Sequence, residues 1–253
     1  MRTLYAAKTI TVGVHPTVHF LGLTFDTDII LSTLVAAGIF LFLGLRMRAT
    51  ATDGVPGRLQ IMWEGIVEMV TDVADSAIGP QGRRFVPLGV TLFLFILICN
   101  WLDFLPTAMH PGVSDPFLPA PTGDVNLPLA MALFVIVWVH IESIRARGLK
   151  GYVKHYFQPY AALGPINMVE EVTKPITMTF RLFGNLFSGG LFVVVLTTLL
   201  PIYSSPVEVG WKLFDTGLLG LIQAFIFMLL TVLYFGMAMS HDESHDVALE
   251  TSH

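Results

Sequence analysis

Residues 164–200 read GPINMVEEVTKPITMTFRLFGNLFSGGLFVVVLTTLL, and the fold turns on where such a run can sit. From Pro175 onward it is almost wholly apolar or small, yet Arg181 stands in its middle. An arginine at bilayer depth costs about 2.5–3.5 kcal/mol on insertion scales, so its default reading is functional. Apolar residues on both sides rule out the snorkelling position near a segment end. Arginine stays protonated in proteins, which makes Arg181 a fixed positive charge and not a proton carrier.

Length is the second constraint. As one helix, Gly164 to Leu200 would extend roughly 55 Å at 1.5 Å per residue. The hydrocarbon core is only about 30 Å thick, so the helix must tilt steeply, break or leave the membrane. Pro175 removes a backbone donor and is a candidate kink. The following arm, Val207 to Met239, is also longer than a span requires. The pattern predicts two long, tilted, antiparallel helices at the core of the protein.

At 100° per residue, Glu170, Lys174, Thr177, Asn185 and Ser188 all fall within about 40° of Arg181. Ile176, Phe183, Phe187 and Leu191 lie, less strictly, on the opposite face. A polar stripe on a membrane helix lines water, a pore or another protein's polar surface. Gly184, Gly189 and Gly190 permit close approach of another helix, a packing role compatible with the functional one. The second arm carries Asp215, Thr216, Gln223, Thr231 and Tyr234, and Gln223 is equally a pore liner or an interhelical hydrogen-bond partner.

The rest of the chain agrees with a membrane class. It is 54% hydrophobic and 13% charged, with mean hydropathy +0.70. The net charge of -5 argues against nucleic acid as a partner. Apolar segments cover Ile29–Leu45, Phe85–Leu105, Leu127–Ile144 and a region from Ile176 to Met239 that Tyr203-Ser-Ser-Pro206 divides, giving five spans. Arg46, Arg48, Arg58, Arg83 and Arg84 follow the first span; Arg145, Arg147, Lys150 and Lys154 follow the third; Phe104 to Asn126 carries no Lys or Arg. The positive-inside rule then puts the N-terminus outside and both basic loops and the C-terminus in the cytoplasm.

Arg58 to Ile78 places Glu64, Glu68, Asp72 and Asp75 on one helical face and Met62, Ile66, Val70, Val73 and Ala77 largely on another. It reads as an interfacial amphipathic helix whose acids are a solvated face without chemistry. Cys99 is the single cysteine, which excludes an intrachain disulfide and points to packing. The N-terminus has no signal-peptide core before the first span, so no cleavage is expected. His241 and His245 have the i, i+4 spacing of a zinc pair but no third ligand, and a solvated tail is the stronger reading. No metal or cofactor is expected. The organisation expected is all-α: a single membrane domain over 1–253, with an outer segment 1–28, three spans and the amphipathic helix over 29–163, the helical hairpin 164–240 and a cytoplasmic tail 241–253.

Pro165-Ile-Asn-Met-Val-Glu-Glu-Val-Thr-Lys-Pro175, continuing to Phe180-Arg-Leu-Phe-Gly-Asn185, resembles subunit a of the rotary ATP synthases, in its bacterial and chloroplast form. So do Leu221-Ile-Gln-Ala-Phe-Ile-Phe-Met228, Asp53-Gly-Val-Pro-Gly57 and Asn100-Trp-Leu-Asp-Phe-Leu-Pro106, in order across most of the chain. The resemblance implies a stator subunit with two offset aqueous half-channels, packed against a ring of small proteolipid c subunits that each carry one carboxylate. Peripheral-stalk b-type subunits and the lipid bilayer are the other implied partners, in a bacterial plasma membrane or another energy-coupling membrane.

Arg181 aligns with the family's essential arginine, and Asn185 and Gln223 with polar positions of the ion path. Glu170 or Glu171 fits the acidic position of the cytoplasmic half-channel, and Asn100 with Asp103 the outer one. Lys174, Ser188, His140 and Glu142 are secondary candidates. One pattern is missing: many members have an acid where Gly190 stands and a histidine where Thr216 stands. Asp215, beside that second position, is the preferred substitute; a solvated interfacial acid is the bland reading. A secondary transporter or ion-channel subunit is the rival function, but the inverted repeats and doubly broken helices of transporters are not visible. A membrane enzyme would need a nucleophile-base set or metal cluster, and the histidines are too dispersed in sequence to suggest one.

Overall fold

The computed structural model describes residues 17–20, 23–104, 119–156, 164–199 and 204–239. A short antiparallel hairpin, β1 (Thr17–Phe20) and β2 (Leu23–Asp26), leads into α1 (Thr27–Thr50). Its Thr, Val and Phe residues favour extended backbone, a feature that the hydropathy pattern does not signal. Everything after it is helical or connecting loop: α2 (Arg58–Ile78), a 3-10 turn at Pro80–Phe85, α3 (Val86–Leu102), α4 (Asn126–Tyr156), α5 (Gly164–Leu199), α6 (Ser204–Lys212), a π-helical segment at Leu213–Leu219, and α7 (Gly220–Met239). Five of these stretches are long and apolar enough to cross a membrane: Thr27–Thr50, Pro80–Leu102, Asn126–Val153, Pro165–Val193 and Val209–Met239. The chain is an integral membrane protein, as the composition predicts.

α7 is the central post and packs on α2, α3, α4 and α5. Its buried side chains Ala224, Phe227, Met228, Val232 and Phe235 recur at helical spacing. Phe85 stacks on Phe235 with ring centroids 4.1 Å apart, and Trp138 meets Phe235 edge-on at 6.3 Å. In a bilayer, such contacts hold helices together by close fit, because lipid tails are as apolar as the side chains. Glycines supply that fit. A Cβ at Gly89 would lie 2.7 Å from Val70 Cγ1, and one at Gly236 would lie 2.9 Å from the Ala77 carbonyl oxygen.

α2 is therefore clamped against α3 and α7 through Val70 and Ala74, while Glu64, Glu68 and Asp72 stay exposed. On its apolar face Val70 is buried and Ile66, Val73 and Ala77 pack against the core, while Met62, near the helix start, is exposed. Asp75 is tied to Arg83 at 2.9 Å. α1 buries only Ile29, Ser32 and Ala36 and presents Leu34, Leu41, Phe42 and Leu45 outward. Cys99 is fully buried, as packing requires.

Three departures shape the site. α4 turns at Gly148, whose φ of 70° is a left-handed conformation that favours glycine. α5 runs its 36 residues continuously through Pro175, about 54 Å at 1.5 Å per residue. The expected break at Tyr203-Ser-Ser-Pro206 is partly a helix start, since α6 begins at Ser204; residue 203 and the paired histidines of the tail lie outside the described residues. A proline is tolerated in a first helical turn, where its missing donor would be unpaired anyway.

Candidate functional site

α5 has three faces. Pro175, Met178, Thr179, Leu182, Leu186 and Gly189 are buried against the rest of the chain. At 100° per residue this face is centred roughly 110° from Arg181. The polar stripe is presented outward: Glu170, Thr177, Arg181 and Ser188 are exposed, while Lys174 and Asn185 are half-buried. Ile176, Phe187 and Leu191, on the face opposite the stripe, form an exposed apolar flank. The buried face was illegible because α5 has two apolar flanks, and only the contact with α4 and α7 selects between them.

Arg181 projects from that outward stripe. Among the described residues no carboxylate lies within ion-pair distance of it. The Asn185 amide nitrogen, one turn on, is buried without a hydrogen-bond partner. Gln223 on α7 is 8% exposed. Tyr234, also on α7, lies within the electrostatic reach of Arg181, Glu170 and Glu171.

Two polar clusters flank the arginine at opposite ends of α5. Toward the C-terminal end, the last turn of α3 meets the π-helical segment. Asn100, fully buried, donates from Nδ2 to the Gly220 carbonyl at 2.9 Å and accepts from Thr122 Oγ1 at 2.7 Å. Thr216 donates to Asp103 Oδ2 at 3.3 Å; Lys212 Nζ donates to the Asp103 carbonyl at 3.0 Å and lies 3.7 Å from its carboxylate. Asp215 is 5% exposed and its carboxylate presses on α5 at Gly189, where an added Cβ would overlap it. The structure thus brings Asn100, Asp103, Asp215 and Thr216 into one cluster. Sequence reading missed Lys212 and Thr122, whose parts depend on interhelical register, whereas Gly189 is one of the glycines named there for close helix approach.

Toward the N-terminal end of α5, Lys174 Nζ donates to Glu171 Oε1 at 2.6 Å and sits 5.5 Å from the centre of the Tyr234 ring. Glu171 Oε2 is 3.8 Å from His140 Nε2 on α4. Glu170 faces outward. Glu142 turns away from this group: it is buried between Arg84 at 3.3 Å and Arg145 at 3.0 Å. Arg147 caps the end of α7, donating to the Met237 and Ala238 carbonyls at 3.1 and 2.7 Å. The basic residues that follow the third span and the last residues of α7 therefore lie at the same end of the bundle. No group of three or more His, Cys, Asp or Glu suited to a metal occurs among the described residues.

Residues 29–236 match a family model described as ATP synthase A chain. The chain belongs to that family. The match runs from the first span to the last turns of α7 and so contains both polar clusters and the arginine between them. Relatives named ATP synthase subunit a agree. The Acidothermus cellulolyticus protein is 47% identical over 233 residues, covering 92% of this chain and 84% of the relative. The Mycobacterium marinum protein is 44% identical over 245 residues, covering 94% and 97%. The Aeromonas salmonicida protein is 35% identical over 228 residues, covering 85% and 88%.

Proposed function

We propose that this chain is the stator subunit of a proton-translocating ATP synthase, in which Arg181 drives deprotonation of carboxylates on a passing ring of small proteolipid subunits. The observation that carries this reading is an outward-facing arginine without a counter-charge among the described residues, between two separate polar clusters. Glu171 is ten residues before it and Gly189 eight residues after, about 15 Å and 12 Å along a helix. Among the described residues neither cluster contacts the other, which suits two offset half-channels. The exposed apolar flank of α5 suits a ring whose outer wall is apolar apart from its carboxylates.

At about 4 Å and an effective dielectric near 20, an arginine and a carboxylate attract by about 4 kcal/mol. That is worth roughly three pKa units. A ring carboxylate held protonated by burial gives up its proton when it meets such a charge, passes, and is protonated again from the other side. A potential of 100 mV adds about 2.3 kcal/mol per charge moved. The fixed guanidinium also blocks a direct proton path between the half-channels, since it cannot relay a proton.

On this reading the Asn100–Asp103–Asp215–Thr216 cluster belongs to the outer half-channel and the Glu170–Glu171–Lys174 group to the cytoplasmic one. Asn185 and Gln223 line the path near the arginine. Both basic loops and the end of α7 face the cytoplasm by the positive-inside rule. The test is Arg181→Ala in the intact complex: assembly persists and coupled ATP synthesis in membrane vesicles is lost. Arg181→Lys also fails, because a buried lysine sheds its proton and lacks the fork geometry. Synthesis at wild-type rate in either variant overturns the proposal.

A further inference from the structure

His140 is not a lone histidine in an apolar span. In a straight helix Tyr152, twelve residues on, would lie about 18 Å along the axis from it. The left-handed turn at Gly148 folds the end of α4 back, and the Tyr152 hydroxyl comes to 3.3 Å from His140 Nδ1, with the two rings edge-on at 6.0 Å. The other ring nitrogen, Nε2, points across to α5 and lies 3.8 Å from Glu171 Oε2. The second oxygen of Glu171 is held by Lys174, whose ammonium lies over Tyr234, and Tyr234 is within the field of Arg181. These groups line up polar side chains from the neighbourhood of the arginine to a histidine whose two nitrogens face two different partners.

We infer that His140 is the proton-exchanging group of the cytoplasmic half-channel, receiving protons from Glu171 at Nε2 and releasing them on the Tyr152 side. This rests on the function proposed above and deepens it. An imidazole can take a proton at one ring nitrogen and release one from the other, so it passes protons between two sides in a way a single carboxylate oxygen does not. A bridging water or a side-chain rotation closes the 3.8 Å gap. The proton on Glu171 moves to Nε2, Nδ1 gives its own proton to cytoplasmic water, and tautomer exchange restores the ring. No net charge accumulates. During ATP-driven pumping the same steps run backward.

The groups facing His140 are Glu171 and Lys174 from α5 and Tyr152 from the folded-back end of α4, with Tyr234 of α7 behind Lys174. Glu142 and Arg145 are paired with each other on the same helix, with Arg84 on Glu142. Lys174 steadies Glu171 as a positioning residue, and Gly148 positions Tyr152.

Inverted membrane vesicles expose the cytoplasmic face of the whole synthase to the bath. ATP-driven proton uptake is measured as bath pH is varied between about 5 and 8, the histidine window. His140→Gln keeps a hydrogen-bonding side chain but cannot titrate; assembly should persist. Its uptake rate should fall by about 10-fold to 10²-fold, as for loss of a positioned proton-transfer group, and its bath-pH profile should flatten. Tyr152→Phe, a milder change away from the span's packed face, should shift the same profile and leave dependence on internal pH unchanged. Wild-type rate and profile in both variants overturn the relay. Arg181→Ala is run alongside: if it pumps normally the proposed function itself fails, whereas a dead Arg181→Ala beside an unaltered His140→Gln sinks only the relay.

Discussion

Gly189→Ala is a single-methyl perturbation with a calculable consequence. The added Cβ would lie 2.6 Å from Asp215 Cγ and 2.9 Å from its Oδ1, and would overlap Oδ2. Ordinary contact begins near 3.4 Å, so Cγ alone must retreat by about 0.8 Å and the overlapping Oδ2 by more, or the helices must part. Overpacking of this kind costs about 1–3 kcal/mol. If that cost falls on the working position of Asp215, proton flux drops by roughly 5-fold to 150-fold, at tenfold per 1.36 kcal/mol. Gly190→Ala is the built-in control, since a Cβ there meets nothing within 4 Å.

The assay is dye-quenching proton uptake in vesicles, normalised to assembled complex. Gly189→Ala/Asp215→Gly should recover assembly by removing the clash, yet not flux, because the charge is gone. Gly189→Asp/Asp215→Gly returns a carboxylate to nearly the same space from the opposite helix and should recover part of the flux. Equal pumping by Gly189→Ala, Gly190→Ala and wild type would refute the claim that Asp215 works from this contact.

Asn185→Leu and Gln223→Leu should each slow passive proton conductance without uncoupling it, since neither amide titrates; unchanged conductance in both would make them packing residues. Asp215→Asn preserves size and should alter the dependence of flux on outside pH, and an unchanged profile would transfer the leading outer role to Asp103. The Arg83 hydrogen bond holds Asp75 below the usual carboxylate range. A depressed folded pKa means that the pair's small stabilisation is present above the unfolded value of about 3.9 and lost as pH falls through the folded value. Thermal melts of Asp75→Asn and wild type should therefore converge in acid, and a gap that widens there would contradict the assignment.

Arg181 and its stripe were legible because a charge in an apolar run is conspicuous and a period of 3.6 can be read without coordinates. The five spans followed from hydropathy alone. The clusters were not legible in the same way. Asn100 could be named, but its bonds to Gly220 and Thr122 join residues 120 and 22 positions away. His140 appeared isolated because its two neighbours come from another helix and from a turn set by one glycine torsion. Local periodicity holds no information about either register. The same limit left open which apolar face of α5 packs, where more than one was available.

The missing acid-histidine pair at Gly190 and Thr216 acquires a physical account from the last arm. In a regular helix Asp215 and Thr216 would point about 100° apart. Here they lie within the π-helical segment Leu213–Leu219, and both are buried, at 5% and 0% exposure. The wider turn accommodates two consecutive polar side chains inward: Thr216 toward Asp103, Asp215 toward Gly189. An acid delivered from this arm needs space on α5, and glycine at 189 provides it. Thr216 takes a hydrogen-bonding role without titration, leaving Asp103, Asp215 and Lys212 as the cluster's charges.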